Sequence, residues 1–492
     1  MTRSEQVEVA AYEPVIGLEV HAELKTESKV FCGCSTRFGA RPNSQTCPVC
    51  LGLPGVLPVL NETAVDYALR VALALESEIV SPCIFERKNY YYPDLPKNYQ
   101  ISQKRRPLAR GGRLEIEADG ASKWVGVDDV HLEEDTGKLV HPEGTGDDYS
   151  LVDYNRCGVP LLEIVSAPDL RSVEEVSAYM TGVRDLLMYL GVSDCRMEEG
   201  SLRFEANISL RPAGSAEYGA RVEIKNLNSF RTVLRCLEHE VVRQEELLRE
   251  GQPVARETRL WDEAAGVSAA MRSKEEAQDY RYFPEPDLVP LVIDEAWLGR
   301  VRGELPELPR ARRGRFVEQL GLSRYDAGIL TADRELADYF EAVLSHGVEP
   351  KAVANWVSGE LLRHLKERGI SPAAAPVAPE RLAGLVRLVA QGAVTGNAAK
   401  GVLAEMFESG RAAHEIVEER GLAQIKDEGE LDQAVERVLA DNPDGVADYR
   451  AGRKQALGFL VGQVMKATRG RANAKAVNEL LRQRLEGDAP DN

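Results

Sequence analysis

Polar and apolar residues alternate most cleanly between Leu202 and Arg211, where Leu202, Phe204, Ala206, Ile208 and Leu210 fall on one face of a strand and Arg203, Glu205, Asn207, Ser209 and Arg211 on the other. One face is core; the other carries a mixed set of acids and bases, as a nucleotide or metal cleft would, although a solvated sheet face reads similarly. A second strand is predicted through Val15 to His21, with Glu19 and His21 on one face and Leu18 and Val20 on the opposite one. Acids recur inside apolar sequence at His131-Leu132-Glu133-Glu134-Asp135, at Leu161-Leu162-Glu163-Ile164 and at Val222-Glu223-Ile224-Lys225. The run from Trp124 to Asp135 has period two, but its adjacent acids leave open which of Glu133 and Glu134 faces the same way as His21. Helical spacing predicts a helix from Glu62 to Leu75 behind an Asn61 cap. A second should open on the capping box Ser172-Val173-Glu174-Glu175 and end at Gly191, and a third should run from about Thr232 to Arg249.

Strand patterns stop near residue 293. A proline-punctuated segment, Tyr280 to Leu291, is expected to return to the strand-rich part. From Asp294 to Met406 the pattern is helical, interrupted by Gly and Pro, and a last helical stretch begins near Phe407. Three domains follow, at 1–293, 294–406 and 407–492.

A chain of 492 residues exceeds what one core usually supports. Its 43% hydrophobic and 28% charged residues are those of a globular protein, and no apolar run is long enough to span a bilayer. The segment Met1 to Ala11 has no signal-like pattern, so a cytoplasmic location is expected. The net charge of -18 argues against polyanion binding over the whole surface. The tail differs: Val446 to Leu485 holds nine basic against two acidic side chains, a net of +7, after an acidic segment from Glu418 to Asp432. Lys466, Arg469, Arg471 and Lys475 there are candidates for phosphate contact, the alternative being a solvated helical face.

Four of the eight cysteines, Cys32, Cys34, Cys47 and Cys50, form two close pairs within nineteen residues. Such pairs bring four thiolates to the corners of a tetrahedron, and a closed, structural zinc site is expected. The converging acids suggest a second, divalent-metal site, because half-buried carboxylates are costly without a cation or hydrogen bond, against separate surface acids as the plainer reading. Between Arg87 and Gln103, two lysines, four tyrosines and two prolines read as a structured loop presenting donors and rings, suited to phosphate, ribose or base contact, against a solvated basic turn with tyrosines packed at its base as the plainer reading.

The stretches Val15 to His21, Cys32 to Asn61, Lys88 to Gln103, Leu132 to Thr136, Asp153 to Asp169, Glu223 to Phe230 and Gly458 to Asn473 together resemble the B-subunit family of aspartyl/glutamyl-tRNA(Asn/Gln) amidotransferases over nearly the whole length. The resemblance implies an α+β protein: an antiparallel-sheet cradle domain, an all-helical domain and a small helical tail domain that binds tRNA. It implies a ligase that uses ATP and Mg²⁺ to phosphorylate the side-chain carboxylate of misacylated Glu-tRNA(Gln) or Asp-tRNA(Asn). Ammonia then displaces the phosphate, released from glutamine in a partner amidase (A) subunit of a heterotrimer that also holds a small C subunit. By the same match Glu19, His21, Glu134, Glu163 and Glu223 are carried over as magnesium ligands, Glu205 as a weaker candidate, and Lys88, Lys97 and Asn226 as cofactor contacts. No G-x-x-x-x-G-K-[ST] phosphate loop and no serine-rich amidase signature occur. An RNA-binding assembly protein would explain the tail and cysteines but not the acids. A metal-dependent hydrolase would explain the acids without ATP.

Overall fold

The computed structural model describes residues 12–141, 149–271, 280–425, 427–468 and 470–487. The alternating sequences assemble into a ten-stranded sheet. Seven of its strands position the chemistry: β1 (Tyr12–Glu23), β2 (Ala121–Glu134), β3 (Pro160–Ser166), β4 (Leu202–Pro212), β5 (Val222–Lys225), β6 (Glu257–Asp262) and β7 (Val267–Ala270). Their spatial order is β7-β6-β5-β4-β1-β3-β2, and all pairings among them are antiparallel except the parallel β5–β6 pair. The first strand of the sequence thus lies in the middle of the sheet, gripped on both sides.

Because the side-chain period is two, this register sorts the sheet into two faces. Leu18, Val20 and Ala22 of β1 join Val130 and Leu132 of β2, Leu162 and Ile164 of β3, and Leu202, Phe204, Ala206 and Ile208 of β4 on the buried face. Three helices cover it: α1 (Glu62–Ala74), α2 (Val173–Tyr189) and α3 (Phe230–Arg249). Each large apolar side chain buried here contributes roughly 1.5–3 kcal/mol, which is why the register is strongly specified. The Asn61 carboxamide accepts from the Thr63 and Ala64 amides, and Ser172 accepts from the Glu175 amide, as their positions in the sequence suggest. The third helix begins two residues earlier than its apolar spacing indicates, because Ser229 caps it by accepting from Thr232.

The loop between Arg87 and Gln103 is more ordered than its composition suggests. Strands Glu86–Asn89 and Tyr99–Ser102 pair antiparallel, and the returning segment Phe283–Pro284 adds to their edge. A bidentate Arg87–Glu285 ion pair, at 2.7 and 2.8 Å, fastens that return.

Two compact units divide the chain, residues 1–308 and 309–492. The first takes in α4 (Glu295–Glu304), which follows the break at 293 in the sequence reading. The Trp297 indole and the Arg300 guanidinium both donate to Asp66 of α1, and Arg70 of α1 pairs with Glu304. The second unit is helical throughout its described residues and has two apolar cores. The earlier core runs from Phe316 through Val417 and the later one from Val435 to Leu485. Phe407, Ala413, Ile416 and Val417 therefore pack with the helices before them, although the sequence reading sets its break at 406. No helix among the described residues is long and apolar enough to cross a membrane.

Candidate functional site

The polar face of the central strands carries a line of ionisable groups set by register alone. His131 of β2 lies opposite Glu163 of β3, Glu163 opposite His21 of β1, and His21 opposite Arg203 of β4. His131 Nε2 is 3.0 Å from Glu163 Oε2 and its Nδ1 is 2.7 Å from Asp129 Oδ1; His21 Nε2 is 3.5 Å from the same Glu163 oxygen and 3.8 Å from Glu133 Oε1. Burial opposes charge on His131, but Glu163 and Asp129 overcome it and push the imidazole up to about 10. Burial likewise opposes charge on His21, and Glu163 and Glu133 still hold it above its ordinary value. Glu163 is buried too, yet its two histidines hold its carboxyl well below the usual carboxylate range. Glu133, 2% exposed and beside Glu163, is pushed up by burial and by that neighbouring charge, and its Oε2 is buried without a hydrogen-bond partner.

One ligand atom from each of His21, Glu133 and Glu163 lies within 4.8 Å of the others. This donor set, two carboxylates and an imidazole with one orphaned carboxylate oxygen, fits a divalent cation that keeps further positions for water or phosphate oxygen. The acid that joins is Glu133. Glu134, carried over as a ligand from the family pattern, points away because neighbours on a strand face opposite ways. Its carboxylate pairs with Lys97 and accepts from the Ile101 amide at 2.8 Å. Lys97 is thereby placed beside the cysteine loop, against the rings of Phe31 and Tyr99, and not at the His21 cluster. Lys88 does face the cluster: burial opposes its charge, but Glu133 and Glu163 hold the ammonium above its ordinary value.

The remaining acids extend the same face. Glu19 is opposite Glu205 and accepts from Asn207 at 3.0 Å, while burial and the carboxylates of Glu163 and Glu205 push it up. Glu205 and Glu223 share Lys225, each 3.0 Å from its ammonium, and Thr258 donates to Glu223 at 2.9 Å. Glu223 and Glu205 therefore already hold a cation of the chain itself. Asn226, carried over as a cofactor contact, instead sits in the left-handed region at φ 66° and donates to the Trp261 carbonyl, closing the turn into α3. Asp129, His131, Lys225 and Arg203 are not among the site residues expected from the sequence, although the last three lie in the segments singled out there. Two-residue spacing back from Glu133 would have found the first two, and the polar face of β4 the last.

Beyond His21, the face ends in Glu23, Asp135, Arg156 and Arg203. Arg203 is 3.0 Å and Arg156 3.6 Å from Asp135, whereas burial and Asp135 push Glu23 up to about 8.

The four cysteines of the loop meet as their spacing predicts, with all Sγ atoms within 4.8 Å of one another. Cys47 and Cys50 sulfurs are 3.9 Å apart, close to the edge of a tetrahedron with metal–sulfur bonds of about 2.3 Å. The hydrogen bond from Cys32, outweighing burial, lowers Cys50 to about 4, and burial raises Cys34 to about 11. Such a set of unlike thiols sharing protons fits a dication that would hold them all as thiolates.

In the tail, Lys466 and Lys475 are exposed. Arg471 pairs with Glu430 and Arg484 with Asp432, so part of the +7 balance is neutralised by the acidic segment before it. Arg469 lies outside the described residues.

Residues 14–299 match the family model described as GatB/GatE catalytic domain, and residues 338–485 that described as GatB domain. Over 474 residues the chain is 59% identical to the B subunit of the aspartyl/glutamyl-tRNA(Asn/Gln) amidotransferase of Moorella thermoacetica, a match covering 96% of this chain and 100% of that one. It is 58% identical over 475 residues to the protein of the same name from Carboxydothermus hydrogenoformans, covering 96% and 99%. The corresponding protein of Geotalea daltonii is 53% identical over 478 residues, covering 97% and 100%.

Proposed function

This chain belongs to the B-subunit family of aspartyl/glutamyl-tRNA(Asn/Gln) amidotransferases, and from that premise we propose that it amidates the side-chain carboxylate of Glu or Asp misacylated to tRNA(Gln) or tRNA(Asn). It is a ligase subunit and works with an amidase (A) subunit, which releases ammonia from glutamine, and a small C subunit. The single observation that carries the site assignment is the line His131–Glu163–His21 with Glu133 beside it, four buried or half-buried ionisable groups on one rigid sheet face.

A carboxylate does not accept ammonia at neutral pH, because its oxygen is no leaving group. ATP and Mg²⁺, when bound, supply the phosphoryl group and neutralise charge on the oxygens in transfer. Glu133 and Glu163, with His21, would hold the metal; Glu19 extends the acidic face. Lys88 provides a positive charge at its edge, suited to the carboxylate or phosphate oxygens. His131 is braced by Asp129 and orients Glu163, as outer partners orient metal-binding side chains. Attack of the substrate carboxylate on the γ-phosphorus expels ADP, and attack of ammonia on the resulting acyl phosphate expels phosphate, which carries off the proton lost by nitrogen. The test is the reconstituted complex on both misacylated tRNAs. Amide and ADP should form together, and only with misacylated tRNA present; amide formation without ATP turnover would refute the activation step.

For tRNA we assign backbone contact to the exposed Lys466 and Lys475, with Arg471 at the turn between their helices. Replacing Lys466 and Lys475 by alanine should raise the KM for tRNA and flatten the salt dependence of binding by roughly one unit for each phosphate that is no longer neutralised. Measuring affinity across a salt series decides it, since an unchanged slope leaves these lysines as solvated surface.

A further inference from the structure

Two cations flank the cluster of His21, Glu133 and Glu163. Lys88 is one; the other is Arg203, which the activation step leaves without a role. Arg203 stands opposite His21 on β4, so the two Cα atoms are about 4.5–5.5 Å apart. Its guanidinium crosses towards the end of β2, where Nη2 donates to Asp135 Oδ2 at 3.0 Å and the group lies in the field of Glu133. Among the described residues that is its one side-chain hydrogen bond: Nε is buried without a partner, although the side chain as a whole is 36% exposed. A second guanidinium, that of Arg156, is 3.6 Å from Asp135 and is held by the carbonyls of Thr136 and Gly137 at 3.0 and 2.8 Å. Glu23 shares a hydrogen bond with Asp135, so the two carboxyl groups carry a single negative charge between them against two guanidinium charges. A surplus of positive charge with unused donors therefore stands next to the residues suited to a metal.

We propose that Arg203 receives the side-chain carboxylate of the aminoacyl group, holding one of its oxygens while the other faces the phosphoryl donor. The inference rests on the aminoacyl-tRNA reading above. Charge decides between the two anions that meet at this cluster. A surplus of one positive charge matches a single carboxylate, whereas a triphosphate beside Asp135 would set several negative charges against it. Geometry agrees, because a guanidinium presents its donors in a plane that matches a carboxylate. The same contact separates substrate from product: the amide keeps one carbonyl oxygen and gains an NH₂ group that only donates, for which a guanidinium has no acceptor. Such a site takes the acid and releases the amide.

The test uses the full complex without ATP and measures binding of the tRNA that the wild type amidates, charged with its acidic amino acid or with the matching amide. The wild type should prefer the acid on the order of 10-fold, the scale of one hydrogen bond to a charged group. Arg203→Gln should bind the two within about twofold of each other, while its affinity for ADP stays that of the wild type. Arg203→Lys keeps the charge facing Asp135 but loses the planar fork, so its preference should fall to about threefold, and it decides the matter should the glutamine variant not fold. A wild type without the preference, or either variant retaining it in full, overturns the proposal. A weakened affinity for ADP with the preference intact also overturns it and places Arg203 on a phosphate. A wild-type complex inactive on both misacylated tRNAs would instead refute the aminoacyl-tRNA reading itself.

Discussion

Glu163→Gln is expected to abolish tRNA-dependent ATP cleavage and amide formation while leaving tRNA affinity close to wild type. Glu163 is the hub of the polar face: one of its oxygens meets both His131 and His21, and two histidines hold its carboxyl ionised. Glutamine keeps the shape and loses the charge. Both imidazoles then lose the anion they share, His131 keeping Asp129 and His21 keeping Glu133, which becomes the one carboxylate of the cluster. Loss of an interaction that stabilises developing charge typically costs on the order of 10² to 10³ in kcat, with little effect on ground-state binding. Glu133→Gln should behave alike, because its Oε1 faces His21 and its Oε2 is unpartnered. Free ammonia sharpens the measurement. It bypasses a failing amidase partner, but it cannot bypass failure to activate the carboxylate. Variants that regain amide formation with ammonium chloride would show that this cluster is not the activation site.

How much of this was legible in the sequence depends on the kind of signal each residue left. The faces of β1 from Leu18 onward and of β4 were readable because apolar and polar residues alternate there, and Glu19, His21 and Glu205 came with them. The cysteine site was readable because four thiols at that spacing have few other uses. Between Asp128 and Asp135 the pattern failed. Seven of those eight side chains are buried or half-buried on one side of the sheet or the other, so hydrophobicity no longer distinguishes the faces, and the family match settled on Glu134 where the register presents Glu133. Lys225 escaped for another reason: a lysine ending a short strand looks like solvated surface until β4 brings Glu205 against it. The break after α4 was missed because the spacing of Leu298 and Val301 shows a buried helix face but not which core it joins; both lie in the core of the sheet unit, where Trp297 and Arg300 also bond Asp66. Deleting the tail from residue 407 would accordingly strip part of the preceding core, and a cut after Leu422 respects both.

The cysteine loop offers the largest expected effect on stability. Freshly purified, reduced protein should contain about one zinc per chain, because four sulfurs already stand where one tetrahedral ion needs them. The loop is tied to the sheet unit through the Cys50 limb. Lys29, 0% exposed, donates to the Gln45 carbonyl at 2.8 Å and reaches Cys50 Sγ at 3.6 Å, and the Cys157 thiol donates to the Cys50 carbonyl at 3.3 Å. At Gly52, where φ is +66°, a Cβ would lie 2.3 Å from Lys97 Cγ, so the chain here is pressed against the lysine that pairs with Glu134. Without the ion, four thiols and the buried Lys29 ammonium must be accommodated with no central charge to organise them. Structural zinc is worth about 10–16 kcal/mol in small peptides; in a loop braced by a large sheet a loss of several kcal/mol is expected, lowering the Tm by roughly 10 °C. Cys50→Ser should lower Tm similarly while kcat at saturating substrate changes less, since the loop lies on the Glu134 side of β2 and the His21 cluster on the other. Elemental analysis and thermal unfolding before and after chelation measure both halves, and metal-free protein with an unaltered Tm would remove zinc from the description of this fold.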